Sequence, residues 1–302
     1  MGSSQTQIVV RRPGAAKRDP FTIVIVANPA LEAPLDSGNF VSDPILLDPT
    51  GFADCVRYID DALFGNLPNQ REILLGDHSI APQVRMVTVF DPGLSALDSN
   101  SLVSQDTLSD ELMPRRNVFA PFLATYGLEA DIAYAVSASV SHTRATTWFT
   151  TDDDGRPGVQ FDLDGTTLYH RFYCQVPGTI AIHRNADSLT ALHEFQHGIS
   201  SYSNGSIVDL YVDVSPGVNA KAGRPIPPGF ATYVRRNYLS DPLRNGLSYP
   251  PNWQAYHCEL ISAGLPAIMD DYYQANGPSE ACENDAITRQ FILDRVRAKL
   301  SR

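Results

Sequence analysis

The sequence has no long apolar run and is short of positive charge. No stretch of eighteen or more apolar residues occurs in the 302-residue chain, so we expect no membrane span. Lysine and arginine number 23 against 34 aspartates and glutamates, which gives a formal net charge of −11. Because such a surface repels phosphate backbones, we exclude nucleic acid as a partner.

Cysteine is also scarce. Cys55, Cys174, Cys258 and Cys282 include no C-x-x-C pair, which argues against a structural zinc site of the ribbon type. The segment from Met1 to Lys17 is polar and basic and lacks the apolar core of a secretory signal. The localisation stays open: without a signal peptide the default is a cytoplasmic protein with four reduced thiols. If the natural chain has a leader that this sequence lacks, the protein is secreted, and Cys258 with Cys282 is our first disulfide pairing.

The first half of the chain carries strand and helix patterns that are typical of an α/β layer. Phe21 to Ala27 is an apolar run of the kind expected of a buried central strand, and Val84 to Phe90 and Ala130 to Val136 predict further strands. Apolar residues at helical spacing between Phe52 and Leu67 predict a helix. The stretch from Asp91 to Asp110 is long and polar, and we predict a surface loop there.

One five-residue string carries the clearest chemistry. His193-Glu194-Phe195-Gln196-His197 fits H-E-x-x-H, a sequence pattern of zinc-dependent hydrolases. In a helix, residues four apart lie on one face, so both imidazoles can reach one ion. Glu194 can then hold a zinc-bound water and take its proton. The string predicts a Zn²⁺ cofactor with His193 and His197 as ligands and Glu194 as the catalytic base.

The residues around the motif predict that it is helical. The stretch from Gly178 to His183 predicts a strand, and Asp187 or Ser188 can cap the helix that follows. At helical spacing, one largely apolar face contains Leu189, Leu192, Gln196 and Ile199. The two histidines lie on a different face. The alternative is an amphipathic surface helix that carries two histidines by chance.

A catalytic zinc site needs a third protein ligand, and the sequence leaves two candidates. Asp209 lies twelve residues past His197, after a glycine that can turn the chain back. Glu259 lies 62 residues past His197, in a stretch that predicts a helix. The spacing H-E-x-x-H-x-x-G-x-x-H is not met, because Ser200 and Ser203 stand where its glycine and third histidine belong. We prefer Asp209 and keep Glu259 as the alternative.

The order of these motifs resembles that of the IgA-peptidase-type metallopeptidases, a metzincin-like family of zincins. The string Ile207-Val208-Asp209-Leu210-Tyr211 is similar to their L-A-D-E-Y-like string, which implies Asp209 as the third ligand. Pro266 to Tyr273, which contains Met269, resembles the methionine turn beneath a metzincin zinc site. The resemblance implies an α/β (α+β) zincin-like domain with a mixed twisted sheet and an active-site helix that carries the motif.

Two tyrosines are further candidates for catalysis. The hydroxyl of Tyr211 or Tyr272 can stabilise the oxyanion of a tetrahedral intermediate. For Tyr272 the alternative is packing beside a C-terminal helix, which apolar spacing predicts over Asn284 to Leu300.

These patterns lead to an expected domain plan and function. We expect a flexible tail over residues 1–20 and one zincin-like catalytic domain over 21–302, divisible into an upper part, 21–204, and a lower part, 205–302. We expect a zinc metallopeptidase that acts on a peptide or protein substrate. Two alternatives stay open: a zincin of the glutamate-ligand class that uses Glu259, and a zincin fold that binds without catalysis.

Overall fold

The fold is taken from a computed structural model of the chain. It describes residues 5–65, 74–149, 176–199 and 286–301, together with short segments at 206–207, 234–236, 255–257, 260–262, 265–266 and 268. In chain order the strands up to residue 183 are β1 (Gln7–Pro13), β2 (Phe21–Ala27), β3 (Ala30–Glu32), β4 (Phe40–Ser42), β5 (Val84–Phe90), β6 (Ser101–Gln105), β7 (Leu112–Pro114), β8 (Ile132–Ser137), β9 (Thr146–Phe149) and β10 (Gly178–His183).

A six-stranded mixed sheet forms the centre of the described chain. Its order is β1-β5-β2-β8-β10-β9. The four inner strands are parallel to one another, and β1 and β9 pair antiparallel at the two edges. A second sheet has the order β4-β3-β6-β7. The predicted strands Phe21–Ala27 and Val84–Phe90 are confirmed with the same bounds, and the third prediction corresponds to β8.

Four α-helices accompany the sheets in the described residues: α1 (Pro49–Phe64), α2 (Arg116–Ala124), α3 (Ser188–Gly198) and α4 (Ala286–Leu300). Short 3₁₀ helices span Pro44–Leu47, Ala81–Gln83 and Asp98–Asn100. The predictions of α1, α3 and α4 are confirmed, whereas α2 was not predicted. None of the helices within the described ranges is long and apolar enough to cross a membrane.

The central sheet buries apolar side chains on both faces, since successive residues of a strand point to opposite sides. Ile23 and Ile25 of β2 belong to a core that includes residues of α1, α3 and α4. Val24 and Val26 belong to a second core, with residues of α2 and of the four-stranded sheet. The described chain is therefore a layered α and β structure with mixed sheets, compatible with the α+β class. Cys55 of α1 is buried and free, and burial raises its pKa to about 12.

The prediction of a flexible tail is wrong for Gln7–Pro13. This segment is strand β1, which pairs antiparallel with β5. Two causes make this segment a strand, one in its own sequence and one in the tertiary structure. Ile8, Val9 and Val10 favour an extended backbone, and the outer edge of β5 supplies the hydrogen-bonding partner.

The prediction of a surface loop from Asp91 to Asp110 is also wrong in part, because this stretch contains β6. Leu102 and Val103 are completely buried in the core between the two sheets. The serines beside them find partners inside the protein: Ser104 Oγ donates to Glu32 Oε2 at 2.6 Å. A short strand in which serines flank two apolar residues looks like a polar loop in the sequence, although its hydroxyls have hydrogen-bond partners within the fold.

Five further strands are short: β11 (Ser206–Ile207), β12 (Val234–Arg236), β13 (Ala255–His257), β14 (Leu260–Ser262) and β15 (Leu265–Pro266). The first three form a sheet in the order β11-β13-β12, and the last two pair antiparallel. The division into an upper part and a lower part stays a prediction, because most of residues 205–285 lie outside the described part of the chain.

Candidate metal centre

Helix α3 carries the H-E-x-x-H motif and lies against the central sheet. Asp187 caps it as predicted, because its Oδ1 accepts a hydrogen bond from the Thr190 N–H at 2.7 Å. The predicted apolar face is buried, with Leu189, Leu192, Gln196 and Ile199 each less than one-tenth exposed. The hydroxyl of Tyr134 in β8 donates to the Ala191 carbonyl at 2.9 Å, which ties the helix to the sheet below it.

Two glycines allow the helix and the sheet to approach each other closely. A Cβ added at Gly178, the first residue of β10, would lie 2.6 Å from the carbonyl oxygen of Gly198 at the end of α3. It would also collide with the side chain of Ile132. The absence of a side chain at Gly178 therefore lets the last turn of α3, which includes His197, lie directly on the sheet.

His193 and His197 bring two ring nitrogens together. Their Nε2 atoms are 3.2 Å apart, and the ring planes cross at 81°. Two imidazole nitrogens that bind one tetrahedral zinc ion at about 2.0–2.1 Å lie roughly 3.3–3.4 Å from each other. The donor set and its spacing therefore fit one zinc ion shared between the two rings.

A backbone carbonyl determines which nitrogen of His193 faces its neighbour. His193 Nδ1 lies 2.9 Å from the carbonyl oxygen of Ile268. A carbonyl only accepts, so Nδ1 carries the proton, and in the neutral ring the lone pair is on Nε2, the nitrogen that faces His197. Metal-binding histidines in proteins commonly have such a partner on the second nitrogen. Ile268, which directly precedes Met269, belongs to the segment predicted as a methionine turn, so one residue of that segment contacts His193.

Glu194 is held by a residue that the sequence did not indicate. Its side chain is buried at 7% exposure, and its Oε2 accepts a hydrogen bond from Thr147 Oγ1 at 2.5 Å. Thr147 lies in the edge strand β9, which pairs with β10. Within the described part of the chain, Thr147 is the residue whose side chain donates to this carboxylate. No spacing pattern could have linked residues 47 positions apart in the chain.

His183, at the end of β10, shows what a structural histidine looks like here. Its Nε2 donates to the Ser139 carbonyl at 3.1 Å, and its Nδ1 accepts the Asn185 N–H at 3.2 Å. Burial lowers its pKa. Both ring nitrogens are used within the local fold, whereas the Nε2 atoms of His193 and His197 face each other.

The remaining predicted site residues lie outside the described residues. They are Asp209, Tyr211, Glu259 and Tyr272. Within the described ranges there is no group of three or more His, Cys, Asp or Glu side chains that could hold a metal ion. The third ligand and the catalytic tyrosine therefore stay predictions.

Comparison of the chain with protein-family models, curated proteins and solved structures finds no significant match. The assignment of a function therefore depends on the motif and on the geometry around it.

Proposed function

We propose that the protein is a zinc-dependent metallopeptidase. The observation that carries the proposal is the 3.2 Å separation of His193 Nε2 and His197 Nε2 on a helix whose sequence is H-E-x-x-H. These two residues would hold the ion. Asp209 is proposed as the third ligand, with Glu259 as its alternative.

Each residue of the site has a role in the hydrolysis of a peptide bond. When bound, zinc is a Lewis acid that polarises a carbonyl and lowers the pKa of water in its open coordination position. Glu194 accepts the proton of the attacking water and returns it to the leaving amine. The Ile268 carbonyl keeps the proton of His193 on Nδ1, so that Nε2 is a ligand. Tyr211 or Tyr272 is proposed to stabilise the oxyanion.

The zincin-like architecture belongs to the same proposal. Two features support it: the motif helix follows a parallel strand of a mixed sheet, and the residue before Met269 contacts the first histidine. The proposed substrate is a peptide or a protein. The formal charge of −11 argues against nucleic acid as the substrate.

The proposal is tested first by zinc content. Protein purified without added metal should contain close to one zinc per chain, and His193→Ala or His197→Ala should remove most of it, because a single remaining histidine holds zinc far more weakly. His142→Ala is the matched control, since that ring contacts Ser141 and the Asp106 carbonyl, neither of which belongs to the proposed site. Near-stoichiometric zinc in both site variants would refute the metal centre.

Hydrolysis is tested separately from metal binding. The parent should cleave members of a fluorogenic peptide library, and a chelator should abolish that cleavage. Glu194→Gln should retain zinc and lose about two or more orders of magnitude in rate, the usual contribution of a general base. A parent that holds zinc but cleaves no peptide would favour the non-catalytic alternative instead.

A further inference from the structure

Both the hydroxyl and the methyl group of Thr147 contact helix α3. Its hydroxyl lies 2.5 Å from Glu194 Oε2 and 3.2 Å from the carbonyl oxygen of the same residue. Its methyl group faces Gly198, because a Cβ added at Gly198 would lie 3.6 Å from Thr147 Cγ2. A β-branched side chain has few χ1 states, and here one state satisfies both contacts.

The strand that carries Thr147 is itself anchored to the sheet. Thr147 pairs with Ile180 in the antiparallel ladder between β9 and β10. The backbone of β9 thus has a definite position relative to α3, which packs on the same sheet. A hydroxyl on this strand can therefore hold the carboxylate of Glu194 in one orientation.

We propose that Thr147 is a positioning residue for Glu194. Its hydroxyl holds Oε2 and so fixes the plane of the carboxylate and the direction in which Oε1 can accept from the attacking water. The inference rests on the proposed function, since it assigns a partner to the proposed base. Its physical basis is that general-base catalysis depends on the orientation of the base, and small misplacements of a reacting group reduce rates strongly.

The decisive variant is Thr147→Val, which keeps the shape and removes the hydroxyl. Zinc content and KM should stay close to those of the parent, and kcat should fall on the order of 10- to 100-fold. Thr147→Ser should recover most of the rate because it restores the hydroxyl. Thr146→Val is the matched control: it is the same substitution on the opposite face of the same strand, and it should leave kcat unchanged.

A second readout needs neither metal nor substrate. When Thr147→Val is introduced into the metal-free parent, the midpoint of thermal unfolding should fall, because the hydrogen bond from Thr147 to Glu194 is lost. The same substitution in a Glu194→Ala variant should lower the midpoint by less, because the Thr147 hydroxyl has no carboxylate to bind in that background. If Thr147→Val does not fold, Thr147→Ser and Thr147→Ala provide the same comparison, as they differ only in the hydroxyl.

The possible outcomes separate this inference from the proposed function. An active parent whose Thr147→Val variant is equally active overturns the role of Thr147 alone. A loss of rate that serine does not recover also overturns it, because the effect is then one of packing. A parent that binds zinc but cleaves no peptide overturns the proposed function, and this inference with it.

Discussion

Two buried side chains, Asn28 and Asp43, join four segments of the fold. Asn28 Nδ2 donates to Asp43 Oδ2 at 2.8 Å, and Asn28 Oδ1 accepts the Leu102 N–H at 3.0 Å. Asp43 Oδ1 accepts the N–H groups of Ile45 and Ala138, both at 2.9 Å. Burial raises the pKa of Asp43, while hydrogen bonds with the Ser137 side chain, the Ala138 and Ile45 N–H groups and the Asn28 side chain oppose the rise. The pair therefore links the ends of β2 and β8 to β6 and to the 3₁₀ helix before α1.

At this residue scale, exchanging the two side chains should cost less than changing either one. Asp43→Asn turns an amide towards the Asn28 amide and leaves a buried donor without an acceptor, at a cost of about 1–3 kcal/mol. Asn28→Asp with Asp43→Asn restores a donor opposite each acceptor, so the double variant should regain most of the free energy of unfolding. Urea unfolding of the parent, the two single variants and the double variant measures this, and losses that simply add would contradict it.

At the scale of elements, the position of α3 depends on the glycine contact beneath its last turn. Gly178→Ala places a Cβ against the Gly198 carbonyl, so the helix or the strand must move. We expect a loss of about 1–3 kcal/mol in the free energy of unfolding, the usual cost of overpacking. We also expect weaker zinc binding, because His197 lies in the displaced turn.

The control for that prediction is Gly93→Ala. A Cβ added at Gly93 would lie 3.5 Å from Asp91 Oδ1, which is ordinary van der Waals contact. This variant should retain parental stability and zinc affinity. Equal zinc affinity in Gly178→Ala, measured by competition with a chromogenic chelator, would show that the close approach does not position the site.

At the scale of the whole molecule, we expect zinc to link the described sheet to the C-terminal half of the chain, because both candidates for the third ligand, Asp209 and Glu259, lie there. A ligand that binds only the folded state stabilises it by RT ln(1 + [L]/Kd), about 4 kcal/mol when zinc is present at a thousand times its dissociation constant. Zinc should therefore raise the unfolding midpoint of the parent. Asp209→Ala should lose this increase, and Glu259→Ala should keep it.

Circular dichroism of the metal-free variants first establishes that each is folded, because metal loss and unfolding are linked. If zinc still raises the unfolding midpoint of Asp209→Ala but not that of Glu259→Ala, the third ligand is Glu259. The metzincin-like assignment is then wrong, and the protein belongs with the glutamate-ligand class. The sequence names both candidates but does not choose between them on physical grounds, since a ligand from a distant segment depends on how the chain folds back.

The sequence by itself determined those features that depend on neighbours along the chain. The apolar run of Phe21–Ala27 predicted a buried strand, and the spacing of His193 and His197 placed both on one face of a helix that begins after Asp187. These predictions needed only the periods of strands and helices and the chemistry of a cap.

Only the tertiary structure decided which distant residues meet. It made Gln7–Pro13 an edge strand, brought Thr147 to Glu194, and brought the Ile268 carbonyl to His193. None of these contacts has a local signature, because each joins backbone or side-chain groups that are distant in sequence and adjacent only once the sheet has formed. The motif therefore predicts the reacting groups, whereas the fold selects the hydrogen bonds that orient them.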